Sequence, residues 1–503
     1  MSARPPEWWE SGPLWLGLAL VSALPFLVSP LPLMPDLFSH IGRYYVMLHA
    51  GEPDIARFYE FHWAIRTNIG VDLIVWALSY LLPVETAAWC AVVIIPPLTV
   101  AGIYALARAT GDISPGAMIA LNMVWSFTFF YGFVNFSLGV GLALLSAALW
   151  ISLSDRRWLR LGAGIATGVV VWLCHLAAFG ILLVILASYQ LVGRPGAGSG
   201  FMDRMKRVAE LVPLLLPLVL GIMFASPDSQ NAPLFANFVY EQKIHFALQI
   251  LRENYKYINQ IEAAAMFSVM AFIGVRALRG RSTADWRLLL AGSILCGLFL
   301  VLPTGIIGSY YADLRLLPAA VILILLAGKG FGRRTGQVLA TAGLALFIVR
   351  IGLTSADWYN RSQSTTAELA ALQHVPHGSR IAAFACIKGC GNDWRLAGYD
   401  HLSSLAIPRR RAFVNSEWDV SGNGLTPVYN SGLGYNDVES VAVVPPELVG
   451  PGGEVTVEQR LATLPRDRFD FVWVFNRPFN ENAYPWLVPL HRGPVGVLFA
   501  IRH

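Results

Sequence analysis

Apolar runs recur along the first 353 residues, at 13–33, 86–107, 115–131, 137–153, 161–174, 177–192, 208–226, 261–275, 288–305, 315–328 and 335–353. Each reads as a helix crossing a bilayer, where a span needs roughly 20 mostly apolar residues. Short basic clusters stand between them: "SDRRWLR" (154–160), "GRPGAGSGFMDRMKR" (193–207), "RALRGRSTADWR" (276–287) and "GKGFGRR" (328–334). Lys and Arg collect in cytoplasmic loops. Placing every cluster on that side makes the eleven runs alternate in direction. The stretch 161–192 has positive flanks at both ends, so it must go out and return, turning near His175. The stretch 115–152 does the same through "YGFVNFSLG" (131–139).

The segment "NIGVDLIVWALSYLLP" (68–83) is apolar but short, and it holds Asp72. As a span it would invert every later loop, so it reads as an interfacial or re-entrant helix. No small-residue cleavage site closes the first run, which is read as a retained helix with Trp8 and Trp9 at the interface. The expected fold is a polytopic α-helical membrane protein of about eleven spans in the plasma (inner) membrane. The outer loops 34–68 and 227–260 and everything after residue 354 lie outside the cytoplasm.

From about residue 355 the apolar runs shorten and Gly, Pro, Asn and charge increase. "TAELAALQHV" suggests a short helix; "SRIAAFAC" (379–386), "FDFVWVFN" (469–476) and "GVLFAIRH" (496–503) suggest strands. The domain expectation is therefore 1–354 for the membrane part and 355–503 for a small α/β domain.

Composition agrees with burial in lipid. The 503-residue chain is 55% hydrophobic and 14% charged, against about 25% charged in a soluble globular domain. The net charge of +5 is spread over scattered clusters, not gathered on one face, which argues against a nucleic-acid partner. Cys90, Cys174 and Cys296 lie in apolar segments and read as core. Cys386 and Cys390 lie in the polar part and suit a local disulfide in an oxidising compartment; zinc would need a second ligand pair. The chain contains no phosphate-binding Gly-x-x-x-x-Gly-Lys-Ser/Thr loop, no His-Glu-x-x-His and no Gly-x-Ser-x-Gly.

The densest chemistry lies just after the first run, in "PLMPDLFSHIGRYYVMLHAGEPDIARFYEFHW" (32–63). The bland reading is a solvated loop whose acids pair with its own arginines. An ion pathway would instead need ionisable groups inside the spans, where they are few, Asp72, His175 and Arg350 among them. Pro35 suits the first turn of a helix. Such a helix puts Asp36 and His40 on one face with Arg43 nearly beside them. A carboxylate there can take a proton from a sugar hydroxyl, and an arginine can hold a phosphate through two contacts. Two other segments share this character. The stretch 226–260 interleaves aromatics with Lys243, His245, Arg252 and Lys256, as either an anion-binding loop or a helix resting on the membrane. "GSYYADLRLLP" (308–318) places Asp313 and Arg315 at the start of a helix. A cation is disfavoured there by the helix dipole and so implies an anionic partner, with Asp313 the nearest.

A first helix, an acidic outer loop opening "PDLFSHIGRYY", many spans with short hairpins, a second outer loop and a small outer C-terminal domain together resemble the GT-C superfamily of membrane glycosyltransferases. The resemblance covers roughly residues 13–260 in architecture and 35–45 in motif. It implies transfer of a sugar from a polyprenyl-phosphate or polyprenyl-diphosphate donor to a glycan, lipid or protein acceptor at the outer membrane surface. By position, Asp36 resembles the catalytic acid of that first loop, and His40 would orient it or touch the acceptor. Arg43, Arg315, Lys243, His245 and Arg252 become candidates for holding the donor, with Asp313 beside them, and Asp54 and Glu60 candidates for a second acid. No cofactor is implied. The adjacent-acid pair with which several such families hold a divalent metal is absent at Asp36. The rival reading is a non-enzymatic transporter or scaffold for envelope polysaccharide. A transporter would want inverted repeats, and the sequence has no detectable repeat. Convergence of Asp36, Arg43 and Arg315 on one place would favour the enzyme.

Overall fold

Each apolar run of the sequence is helical. The computed structural model describes residues 6–29, 31–193, 200–223, 235–236, 240, 243–280, 284–306, 310–391, 394, 398–418, 424–450 and 453–503. Five helices are long and apolar enough to cross a membrane: Val84–Ala109, Val134–Ser152, Arg157–Cys174, Lys256–Leu278 and Arg333–His374. Six shorter apolar helices stand at the other predicted positions: Gly12–Ser22, Gly116–Tyr131, Leu176–Val192, Val212–Gly221, Trp286–Val301 and Leu316–Ala327. Packing between them follows the membrane rule that small residues permit close backbone approach. A Cβ on Gly102 would lie 2.9 Å from the Gly141 carbonyl oxygen and 2.9 Å from Leu144 Cβ.

The segment 68–83 forms the helix Gly70–Leu78, about 14 Å long at 1.5 Å per residue and too short to cross a bilayer. Its Asp72 is buried and held by Arg43, with Nη1–Oδ1 at 2.6 Å and Nη2–Oδ2 at 3.0 Å. Asn135, from the turn 131–139, caps the same helix. It accepts from the Val71 N–H at 2.6 Å and donates to Asp72 at 3.3 Å. Trp9 departs from the interfacial expectation: it is buried and donates to the Ile113 carbonyl, while Trp8 is exposed.

The last helix runs unbroken over Arg333–Glu368, so residue 354 falls inside it and the change in composition brings no break in the backbone. At its end Glu368 is buried and accepts from Trp473 Nε1 (2.8 Å), Val495 N (3.0 Å) and Gly496 N (2.9 Å). Three donors from the C-terminal sheet thus fix the helix end.

That sheet runs in the order Phe413–Val414, Arg380–Cys386, Phe471–Phe475, Gly496–Ile501, Leu487–Arg492, and Ala442–Val443 also pairs with Arg380–Cys386. The pairings of Arg380–Cys386 are parallel and the last two pairings of the order are antiparallel. Its two central strands are buried on both faces, which explains their unbroken apolar runs. The three strands read from sequence are present; Leu487–Arg492 escaped notice because Pro489, His491 and Arg492 interrupt its pattern. Cys386 and Cys390 form a disulfide. A short ribbon joins the two parts of the chain, with Tyr59–Phe61 antiparallel to Leu425–Pro427.

Candidate active site

Pro35 opens the helix Pro35–His49 after an extended Met34, and Asp36 sits in its first turn. The helix Phe127–Tyr131 ends on Gly132 with φ +109° and presses this glycine against the start of the Asp36 helix. A Cβ there would lie 2.9 Å from Asp36 Cβ, so both the conformation and the contact require glycine.

Asp36 is buried, and its Oδ1 has no hydrogen-bond partner among the described residues. Burial raises its pKa well above the ordinary carboxylate value; neighbouring Asp400 pushes the same way, and Arg315 opposes them. Arg315 starts the helix Leu316–Ala327. Its guanidinium lies 4.4 Å from the Phe133 ring centroid, with Nη1 3.1 Å from His175 Nε2. An aromatic wall continues beside it. Tyr311 packs against Phe127, Tyr131 and Phe133 at 5.4, 5.8 and 6.4 Å between ring centroids, and Tyr131 feels the charges of Asp36, Asp400 and Arg252.

The predicted residues therefore divide. Asp36, Arg315 and Arg252 share one neighbourhood. Arg252 also donates to the Trp394 carbonyl at 2.8 Å, tying the second loop to the C-terminal domain. His40, one turn after Asp36, hydrogen-bonds the Gly132 backbone. Burial and the charges of Arg43 and His401 hold its pKa down at about 3, so it is neutral at pH 7. Arg43 is engaged elsewhere. Its two-contact carboxylate is Asp72, and only 1% of its surface is exposed, which leaves a donor phosphate no access. The expected Asp313–Arg315 pair is also corrected. Asp313 is fully buried, with Oδ2 against the Lys243 ammonium, which also donates to the Leu302 carbonyl at 2.9 Å, and with Oδ1 lacking a partner among the described residues. His245 is exposed at the start of a helix, Lys243–Leu248. Asp54 and Glu60 are surface residues, the first bound to Arg411 at 3.2 Å and the second 3.4 Å from His62. Much of the loop 227–260 lies outside the described residues.

Sequence reading missed the contribution of the C-terminal domain. Asp400 and His401 reach the start of the Asp36 helix; a Cβ on Gly398 would be 3.9 Å from Pro35 Cα. Glu417 reaches its middle and accepts from Ser39 Oγ at 3.0 Å. The only local signal was a set of polar residues inside apolar surroundings, "YDHLSSLAI" and "FVNSEW". Among the described residues no group of three or more His, Cys, Asp or Glu is arranged to hold a metal.

No family model and no curated protein matches the chain. Solved structures do. ArnT from Cupriavidus metallidurans in the apo state superposes with a TM-score of 0.53 at 13% identity, over 97% of both chains. The same protein bound to undecaprenyl phosphate gives 0.52 at 14% identity, again over 97% of both. The mycobacterial arabinofuranosyltransferase AftD overlaps at 0.46 and 16% identity, over 98% of this chain and 40% of its own. Over almost its whole length, this chain has the fold of ArnT.

Proposed function

We propose that the protein transfers a sugar from a polyprenyl-phosphate-linked donor to a hydroxyl acceptor, a glycan, lipid or protein, with Asp36 as general base. The carrying observation is the buried Asp36 carboxyl, with one oxygen unpartnered, facing Arg315 at one end of a helical bundle with the ArnT fold. ArnT has been solved with undecaprenyl phosphate bound, which supports a polyprenyl lipid as the donor carrier.

The acceptor oxygen attacks the anomeric carbon and its proton passes to the Asp36 carboxylate. The bond from that carbon to the phosphate oxygen breaks, and the electron pair leaves with the lipid phosphate. Arg315 and Arg252 stabilise the charge that develops there. A raised pKa makes Asp36 a stronger base once ionised. The tyrosine and phenylalanine wall gives the sugar an apolar face to rest on.

The basic clusters support an orientation. Arg157 and Arg160, Arg276, Lys329, Arg333 and Arg334 all lie at helix ends away from Asp36. With these in the cytoplasm of a cell with an inner membrane, the Asp36 end and the C-terminal domain face outward.

The test is consumption of polyprenyl-phosphate-linked sugars by the purified full chain in nanodiscs, beside Asp36→Asn. Turnover in the parent that is lost in the variant supports the reading. Equal turnover in both, or none with any such donor and acceptor, overturns it.

A further inference from the structure

The contact between the C-terminal domain and the Asp36 helix centres on one side chain. Glu417 is only 1% exposed. One carboxyl oxygen accepts from Ser39, the side chain is also hydrogen-bonded to Ser404, and Oε1 has no partner among the described residues. Gly42 leaves the room: a Cβ there would lie 2.6 Å from Glu417 Oε1, 3.0 Å from Ile407 Cδ1 and 3.2 Å from the Ser404 carbonyl oxygen. The surrounding hydroxyls are fixed in turn. Ser403 and Ser404 hydrogen-bond Ser416 Oγ at 2.9 and 2.7 Å, and the Ser416 carbonyl holds His401 Nδ1 at 2.8 Å. From the first outer loop, the Tyr59 hydroxyl donates to the Val414 carbonyl at 3.2 Å and accepts from the Val414 N–H at 2.8 Å.

A buried acid is a costly choice for gluing two surfaces, since leucine or glutamine would avoid its desolvation. Its position explains the cost. Ser39 lies between Asp36 and His40 on one helix, and Ser404 lies just after Asp400 and His401 on the other side. We propose that Glu417 is a positioning residue for sugar transfer: by bridging Ser39 to Ser404 it docks the segment 398–418 onto the helix Pro35–His49, and so sets Asp400 and His401 beside Asp36 and His40. The proposal rests on the transfer reading above.

With its proton on, Glu417 makes the bridge without burying a charge. Burial pushes the Glu417 pKa up to about 8, against the hydrogen bonds from Ser404 and Ser39 and, least, the charge of Arg43, which is paired with Asp72. The charged and titratable groups facing Glu417 are Arg43 on the Asp36 helix and Tyr59 on the first loop; Ser39 and Ser404 supply its hydrogen bonds. On ionising, Glu417 competes with Asp72 for Arg43 and turns that helix away from its docked position.

Three variants of the full chain test this: Glu417→Gln, Glu417→Ala and Gly42→Ala. Two readouts are needed, hydrogen exchange of the amides of 35–49 and transfer rate against pH. The first requires no turnover, so it remains decisive if the donor reading fails. Glu417→Ala and Gly42→Ala are expected to speed exchange across 35–49, and Glu417→Gln to restore protection. In the transfer assay kcat falls on the order of 10²-fold in Glu417→Ala, with the donor KM little changed, as expected for misplacement of about 1 Å. Glu417→Gln retains kcat and removes an alkaline decline present in the parent near pH 8. Unchanged exchange in both Glu417→Ala and Gly42→Ala overturns the docking role. Normal exchange protection in Glu417→Gln, accompanied by an unchanged alkaline limb, overturns the role of the neutral carboxyl.

Discussion

The two ends of the helical bundle differ in kind. At the Asp36 end, charges are buried and committed: Arg43 to Asp72, Lys243 to Asp313, Arg350 to Glu253 and Glu262, and Asp36 opposite Arg315. At the other end lies a cavity of about 660 Å³ lined by Trp9, Thr110, Asp285, Arg287, Lys329 and Arg333 among others. The helices prove the opposition. Arg315 begins Leu316–Ala327 and Gly328 at its far end lines the cavity; His175 precedes Leu176–Val192, and Gly193 lines it too. The cavity is roomy, but two of its cations are engaged within the protein: Arg287 grips Asp285 through two nitrogens at 2.8 and 2.6 Å, and Lys329 donates to the Asp112 carbonyl. The Asp36 end is tight, yet it holds carboxyl oxygens, of Asp36, Asp313 and Glu417 among others, without a partner among the described residues. Empty volume is a poor guide to chemistry here, and unmet electrostatic demand is the better one.

Substitutions can break this contrast. The largest effect is expected from Asp36→Asn, which should lower turnover by about 10²–10⁴-fold while leaving the melting temperature unchanged, measured as donor consumption beside thermal unfolding. Because the Asp36 carboxyl must ionise to act, the parent rate should rise with pH through its elevated pKa, and this limb should vanish in the variant. Asp72→Asn leaves Arg43 buried without its counter-charge and should cost about 3–5 kcal/mol in denaturant unfolding, since uncompensated buried charge is expensive. Gly132→Ala forces a left-handed φ and a clash onto the Asp36 turn; a loss of about 1–3 kcal/mol with reduced turnover is expected. Glu417 provides a smaller, pH-graded effect. Its pKa is raised on folding from 4.5 to about 8, so the stability that its proton confers is fully present below pH 4.5 and lost as pH rises toward 8. The slope is about 1.4 kcal/mol per pH unit, and Glu417→Gln should abolish it when unfolding is compared at pH 6 and 7. Least of all, Lys329→Met in the opposite cavity should leave turnover within about twofold of the parent. A large loss there would dissolve the distinction between the two ends.

How far this arrangement was legible in the sequence depends on the range of each interaction. Helix periodicity placed Asp36, His40 and Arg43 on one element, because that relation is local. The partners were not local. Asp313 and Arg315 are near neighbours in the chain and invited pairing, but the turn before Leu316 sends one toward Lys243 and the other toward Asp36. Arg43 looked free for a phosphate because nothing near it in sequence announces Asp72, which arrives on the short helix Gly70–Leu78. Asp400 and Glu417 lie in a region whose strands were evident but whose irregular segments carry no periodic signal, so their return to the first loop could not be read. The apolar helices were legible throughout, because each is written as its own run of apolar residues, five of them long enough to cross a membrane.

The unbroken helix Arg333–Glu368, roughly 54 Å long at 1.5 Å per residue, has a mechanical consequence. With Glu368 locked to three donors of the sheet, it is a mast and not a tether. The sheet is held at a fixed height above the bundle and has no hinge in that helix about which to swing. Any opening at the Asp36 end must therefore come from the rigging around the mast, the contacts of 398–418 with the first loop, while the mast itself stands still.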